Sequence, residues 1–129
     1  MAWILFVDDD PYTLEIYTKA VEIFGHRAMV AATGGEALIL MRETKPDLIF
    51  LDMRIPDMDG FELLQHLREN PETADIPAVM LSASSHYENE DLALQAGAVA
   101  FIQKPIRIDE LKALIDKYAS PENGEESQN

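Results

Sequence analysis

Three consecutive carboxylates, Asp8, Asp9 and Asp10, close the apolar run in FVDDDP at residues 6–11. Like charges about 4 Å apart repel by roughly 1 kcal/mol in water and about 4 at a protein-like dielectric. A buried carboxylate is costly unless a partner neutralises it. A second acidic stretch, LIFLDMRIPDMDG, places Asp52 at the end of another apolar run. The hydroxyl of Ser82 ends the run in VMLSAS, and the ammonium of Lys104 follows the run in FIQKPI. Carboxylates combined with a hydroxyl and an ammonium make a site for a hard cation plus a phosphoryl group, provided the fold brings them together.

The elements that must do so are legible in the hydrophobic pattern. Short apolar runs at Trp3–Val7, Ala28–Ala31, Leu48–Leu51, Ala78–Leu81 and Ala98–Ile102 have strand length and read as buried on both faces. Helical spacings lie between them. Leu14, Tyr17, Val21 and Phe24 fall on one helix face, with Asp10 as N-cap, Pro11 in the first turn and Gly25 at the end. Thr33-Gly-Gly-Glu36 has the form of a capping box and opens a second helix, Ala37 to Glu43. Asp59-Gly60 starts a third helix marked by Phe61, Leu64 and Leu67 and ended near Asn70-Pro71. A polar, weakly amphipathic fourth runs from about Glu88 to Ala96, and Leu111, Leu114, Ile115 and Tyr118 mark a fifth.

Strand–helix repeated five times demands a parallel sheet with helices on both faces. In such sheets ligands bind beyond the carboxyl ends of the strands, where the strand order reverses. With the order 2-1-3-4-5 the first and third strands are neighbours, so Asp8, Asp9 and Asp52 converge. Every strand but the second then delivers a polar residue to one edge.

Composition narrows the partners. The 129 residues are 47% hydrophobic, enough for a packed domain rather than a disordered chain. Ten basic against twenty-four acidic residues give a net charge of −14, which repels nucleic acid and anionic membrane surfaces. The attractions left are to cations and basic protein surfaces. Absence of cysteine excludes disulfides and thiolate metal sites. No apolar stretch reaches membrane-span length, and MAWILFV lacks the basic start of a signal peptide, so a cytoplasmic protein is expected. Residues 1–119 read as one domain, and the acidic SPENGEESQN, within residues 120–129, reads as a disordered tail or a cut linker.

The combination VDDD, LDMRIPDMDG, MLSA and KP, in that order and spacing, resembles the receiver domain of two-component response regulators. The resemblance spans about residues 2–119 and implies a (βα)5 flavodoxin-like sandwich. It implies that Asp52 accepts a phosphoryl group from the phosphohistidine of a sensor kinase or a histidine phosphotransfer protein. It gives Mg²⁺, with Mn²⁺ as substitute, Asp9 and Asp52 as direct ligands, Asp8 as a ligand through water and the Arg54 backbone carbonyl as another. Ser82 and Lys104 then fall at the hydroxyl and lysine positions of the site, Phe101 at an aromatic switch position, and Lys104–Pro105 at a cis peptide. The module is a switch rather than a metabolic enzyme, catalysing only its own phosphorylation and dephosphorylation. It reads out through the face formed by the fourth helix, fifth strand and fifth helix, toward an effector or dimer mate.

Several residues carry plainer explanations. Asp10 suffices as a helix cap, Asp57 and Asp59 are structural loop and cap residues, and Glu43 and Glu110 are solvated helix acids. Phe101 alone would be an ordinary buried strand aromatic. His26, His66 and His86 read as surface residues. Rival functions fit less well. A haloacid-dehalogenase-like phosphatase needs Asp-x-Asp-x-Thr/Val after its first strand, and Tyr12 stands at the last place. A flavodoxin-like carrier needs a hydroxyl- and glycine-rich phosphate loop where this chain has three acids. A phosphorylation-independent adaptor has no need of an intact acidic site.

Overall fold

The computed structural model describes residues 1–83 and 87–119; His86 and the acidic tail lie outside them. Five strands, β1 (Trp3–Val7), β2 (Arg27–Ala31), β3 (Leu48–Asp52), β4 (Ala78–Ser82) and β5 (Ala100–Gln103), alternate with five helices. These are α1 (Pro11–Ile23), α2 (Gly34–Glu43), α3 (Gly60–Glu69), α4 (Tyr87–Gln95) and α5 (Ile108–Tyr118). All strand pairs are parallel and the order is β2-β1-β3-β4-β5, as expected.

Strand alternation divides the core into two layers. Leu5, Val7, Ile49, Leu51, Ala78 and Met80 face α2, α3 and α4, where they meet Met41, Leu63, Leu64, Leu67 and Ala93. Ile4, Phe6, Leu48, Phe50, Val79 and Leu81 face α1 and α5, where they meet Tyr17, Val21, Leu111 and Ile115. Phe6 stacks on both Tyr17 and Phe50, with centroids 4.9 and 5.1 Å apart.

Only the inner strands are buried on both faces. In β2, Arg27 and Val30 are exposed, and β5 is half-buried, because each lies at a sheet edge without an outer neighbour. The fifth strand also starts at Ala100 rather than Ala98. Gly97 N–H and Ala98 N–H donate to the carbonyls of Leu94 and Ala93, so these residues close α4 before the strand begins.

The helix starts follow the side chains available to cap them. Asp10 accepts from Tyr12 N–H at 3.1 Å, with Pro11 at the first helical position. Thr33 accepts from Glu36 N–H at 3.0 Å, and Asp59 from Glu62 N–H at 2.8 Å. Each such cap is worth about 1 kcal/mol. The second helix therefore begins three residues earlier than its apolar pattern suggests. His66 is exposed as expected, but His26 is not an idle surface residue: its Nδ1 accepts the Ala2 N–H at 2.9 Å. Among the described residues no helix is long and apolar enough to cross a membrane.

Candidate functional site

Parallel pairing brings the carboxyl ends of β1, β3, β4 and β5 to one edge, and the site is built there. Asp8 follows β1 and is 2% exposed; Asp52, the last residue of β3, is 9% exposed; Asp9 is exposed. One carboxylate oxygen from each of the three lies within 4.8 Å of the others.

Lys104 lies across this cluster from the end of β5. Its Nζ is 2.8 Å from Asp8 Oδ2 and 3.0 Å from Asp52 Oδ2. The remaining oxygen of Asp8 accepts the Asp10 N–H at 2.9 Å, and Asp52 Oδ1 accepts the Arg54 N–H at a long 3.3 Å. Burial pulls the Lys104 ammonium toward neutrality, but the hydrogen bonds and charges of Asp8 and Asp52 outweigh it and push its pKa up to about 12. For Asp52 the balance goes the other way. Burial raises its pKa, the negative charge of Asp8 adds to this, and Lys104 and the Arg54 N–H offset only part. Burial thus works against the charged form of Asp52, and Lys104 and the Arg54 N–H work for it.

Ser82 is buried at the last position of β4, and its carbonyl accepts the Lys104 N–H at 2.7 Å. Phe101 pairs in register with Met80, two residues before Ser82, so both side chains belong to the same sheet face on neighbouring strands. Phe101 is half-buried against the α2–α3–α4 layer, less enclosed than a strand aromatic in the centre of the sheet. The Lys104–Pro105 peptide is cis.

The donors suit a hard cation: carboxylate oxygens of three aspartates beside the backbone of Arg54, with no nitrogen or sulfur among them. Two neighbours were not legible as parts of the site. Tyr17 lies close enough that burial and the charges of Lys104, Asp8 and Asp52 all act on its phenol, with burial raising its pKa most. From sequence it is one more residue of the helix's apolar face. Asp57 receives the N–H groups of Gly34 and Gly35 at 2.8 and 2.9 Å, joining the β3–α3 loop to the start of α2. These two hydrogen bonds hold its pKa below the ordinary carboxylate value. Its sequence signal was the presence of two loop acids after Asp52 where one cap was enough.

A five-stranded parallel sandwich whose strand ends gather three acids, a buried serine and a lysine is an α/β domain of the doubly wound class. The model of the response regulator receiver domain matches residues 4–116, and the chain belongs to that family, the receiver domains of two-component signalling. The polar-differentiation response regulator DivK of Brucella anthropi is 30% identical over 115 residues, covering 89% of this chain and 94% of DivK. The DNA-binding dual master transcriptional regulator RpaA of Synechocystis is 34% identical over 115 residues, covering 89% of this chain but 48% of RpaA. The crystal structure of a receiver domain protein from Methanospirillum hungatei superposes with a TM-score of 0.83 at 32% identity, covering 91% of this chain and 92% of that one. The chain therefore spans nearly all of one relative and about half of another.

Proposed function

We propose that Asp52 accepts a phosphoryl group from a phosphohistidine, and that the resulting acyl phosphate switches the domain between two states. The carrying observation is Lys104 Nζ 3.0 Å from Asp52 Oδ2, in a cluster where Asp8 and Asp9 oxygens lie within 4.8 Å. An oxygen of Asp52 would attack phosphorus as the phosphorus–nitrogen bond of the donor breaks and the imidazole leaves. Attack of water on the same phosphorus would later release inorganic phosphate and restore the carboxylate. Asp52 is favoured over Asp8 because its side chain keeps 12% exposure against 3% and its backbone hydrogen bond is long at 3.3 Å, while Asp9 is solvated.

An anionic nucleophile meeting an anionic phosphoryl group needs charge neutralisation and alignment above all. Lys104 supplies one positive charge. Asp9, Asp52 and the Arg54 carbonyl, with Asp8 behind them through water, would hold Mg²⁺ or Mn²⁺. Such an ion would neutralise the phosphoryl oxygens and the acceptor together. Ser82 would donate its hydroxyl to a phosphoryl oxygen, and Phe101 would repack as it does so.

The donor is a sensor histidine kinase or a histidine phosphotransfer protein in the cytoplasm. The output passes through α4, β5 and α5, where Leu92, Leu94 and Ile108 are exposed, as is Val99 just before β5, to an effector or dimer mate. The test is incubation with acetyl phosphate and Mg²⁺ followed by intact-mass measurement. One added phosphoryl group is expected, absent in Asp52→Asn; label on a histidine, or retained by the Asn variant, overturns the reading.

A further inference from the structure

The β3–α3 loop is tied at both its base and its tip. At the base, Gly60 N–H donates to the Met53 carbonyl at 2.7 Å, and Arg54 and Asp59 form an antiparallel bridge. Ile55 is buried in the core layer beneath. At the tip, Asp57 uses both carboxylate oxygens on consecutive N–H groups of α2, Gly34 and Gly35, at 2.8 and 2.9 Å. Those are donors in the first turn of a helix, which have no partner within the helix itself. Beside them the Met58 side chain packs so closely on Gly34 that a Cβ there would stand 2.6 Å from its Sδ. The positive end of this helix takes an acidic side chain 22 and 23 residues away. Helix α2 and the loop carrying Arg54 are therefore joined by a charge-assisted, bidentate contact and a packed methionine.

We infer that Asp57 is a positioning residue for the cation site: by anchoring the loop tip on α2 it fixes the backbone of Arg54 beside Asp52. The inference rests on the reading of the Arg54 carbonyl as a cation ligand, since Asp57 itself lies outside the cluster and acts through the loop. Without the anchor, the tip keeps its closed base but loses its attachment to α2, and the Arg54 carbonyl must be ordered when the ion binds. That ordering entropy would then reduce affinity.

The test compares Asp57→Ala, Asp57→Asn and Asp9→Ala with the wild-type domain. Amide exchange on metal-free protein should be faster at residues 34–35 and 53–60 in Asp57→Ala. Calorimetric titration with Mg²⁺ should give about ten-fold weaker binding, the low end of what losing an outer support costs a metal site. Loss of a negative charge alone would also weaken Mg²⁺ binding, but that effect shrinks at high salt and is equal in Asp57→Ala and Asp57→Asn. The positioning role predicts a loss that persists at high salt and is smaller in Asp57→Asn, whose amide oxygen keeps one N–H partner. Wild-type affinity in Asp57→Ala, or a loss that salt abolishes and the Asn variant shares in full, overturns the inference. If Asp9→Ala loses binding while Asp57→Ala does not, the inference alone fails. If Asp9→Ala also binds as wild type does, the cation reading fails and takes the inference with it.

Discussion

Lys104 Nζ stands 2.8 Å from Asp8 Oδ2, an ion pair between residues 96 positions apart in sequence. It is the contact that makes an otherwise repulsive cluster tolerable. Asp8 is almost wholly buried, and its other oxygen is held by a backbone N–H rather than by a second cation. Lys104 retains 23% side-chain exposure, so its value to the fold is screened, but its removal leaves Asp8 with no cationic partner among the described residues.

Lys104→Ala should consequently destabilise the domain. Breaking a buried pair costs about 3–5 kcal/mol, and solvent access on the lysine side reduces this to roughly 2. Added Mg²⁺ should restore more melting temperature in this variant than in wild type, because it supplies the missing positive charge. Thermal melts with and without Mg²⁺ check both parts.

Asp52→Asn should act in the opposite direction. The pKa of Asp52 is raised chiefly by burial, so its ionised form weakens the fold at neutral pH, and a neutral amide removes that burden. The expected direction is a gain in stability, each 1 kcal/mol of which would appear as roughly 4 °C in Tm. A variant that is more stable yet takes no phosphoryl group from acetyl phosphate would separate the chemical role of Asp52 from any structural one. Melting curves and intact mass on the same sample give both readings.

Much of this was legible in the sequence because two simple periodicities carried it. Runs of strand length separated by 3.6-residue patterns gave the element order, and parallel pairing then required the ends of β1, β3, β4 and β5 to meet. Asp8, Asp52 and Lys104 needed only that much to be placed together. Asp57 and Tyr17 needed more. A clamp between residue 57 and residues 34 and 35 joins the β3–α3 loop to the start of α2, whose relative position no local pattern encodes. Tyr17 differs from its core neighbours only by a hydroxyl, whose surroundings depend on the packing of α1 over the sheet. The burial of the edge strands was misjudged for a related reason: an apolar run in β2 or β5 looks the same in sequence whether or not another strand lies beside it.

At alkaline pH the Lys104 contribution should disappear in a defined window. Its folded pKa is about 12, above the ordinary 10.5, so the stability it adds is fully present below pH 10.5 and is lost as pH rises through about 12. The informative quantity is a difference, which cancels any effect of alkaline pH common to both proteins. The gap in melting temperature between wild type and Lys104→Met should be constant from neutral pH to about 10.5 and close above it. A gap that stays open at the highest pH would contradict the paired geometry.

Ser82 and Phe101 provide the last prediction. They share one sheet face on adjacent strands, with Phe101 opposite Met80 and Ser82 one pleat further toward the site. The Ser82 carbonyl also receives the Lys104 N–H, so the ends of β4 and β5 are tied together there. A phosphoryl oxygen that drew the Ser82 hydroxyl toward Asp52 would alter packing at the end of β4, and the half-buried Phe101 has room to respond. Differential stabilisation of a few kcal/mol between two states is sufficient for such a change. The polar helix α4 offers little apolar attachment to resist it, Ala93 being its contribution to the buried core layer among the described residues. Ser82→Ala should therefore still accept a phosphoryl group at Asp52 while losing much of the conformational response. Amide exchange with and without beryllofluoride, read over residues 87–105, distinguishes the outcomes. Wild type should change across that segment and Ser82→Ala should change far less; identical exchange in the two states of the wild-type domain would remove Ser82 and Phe101 from the switch.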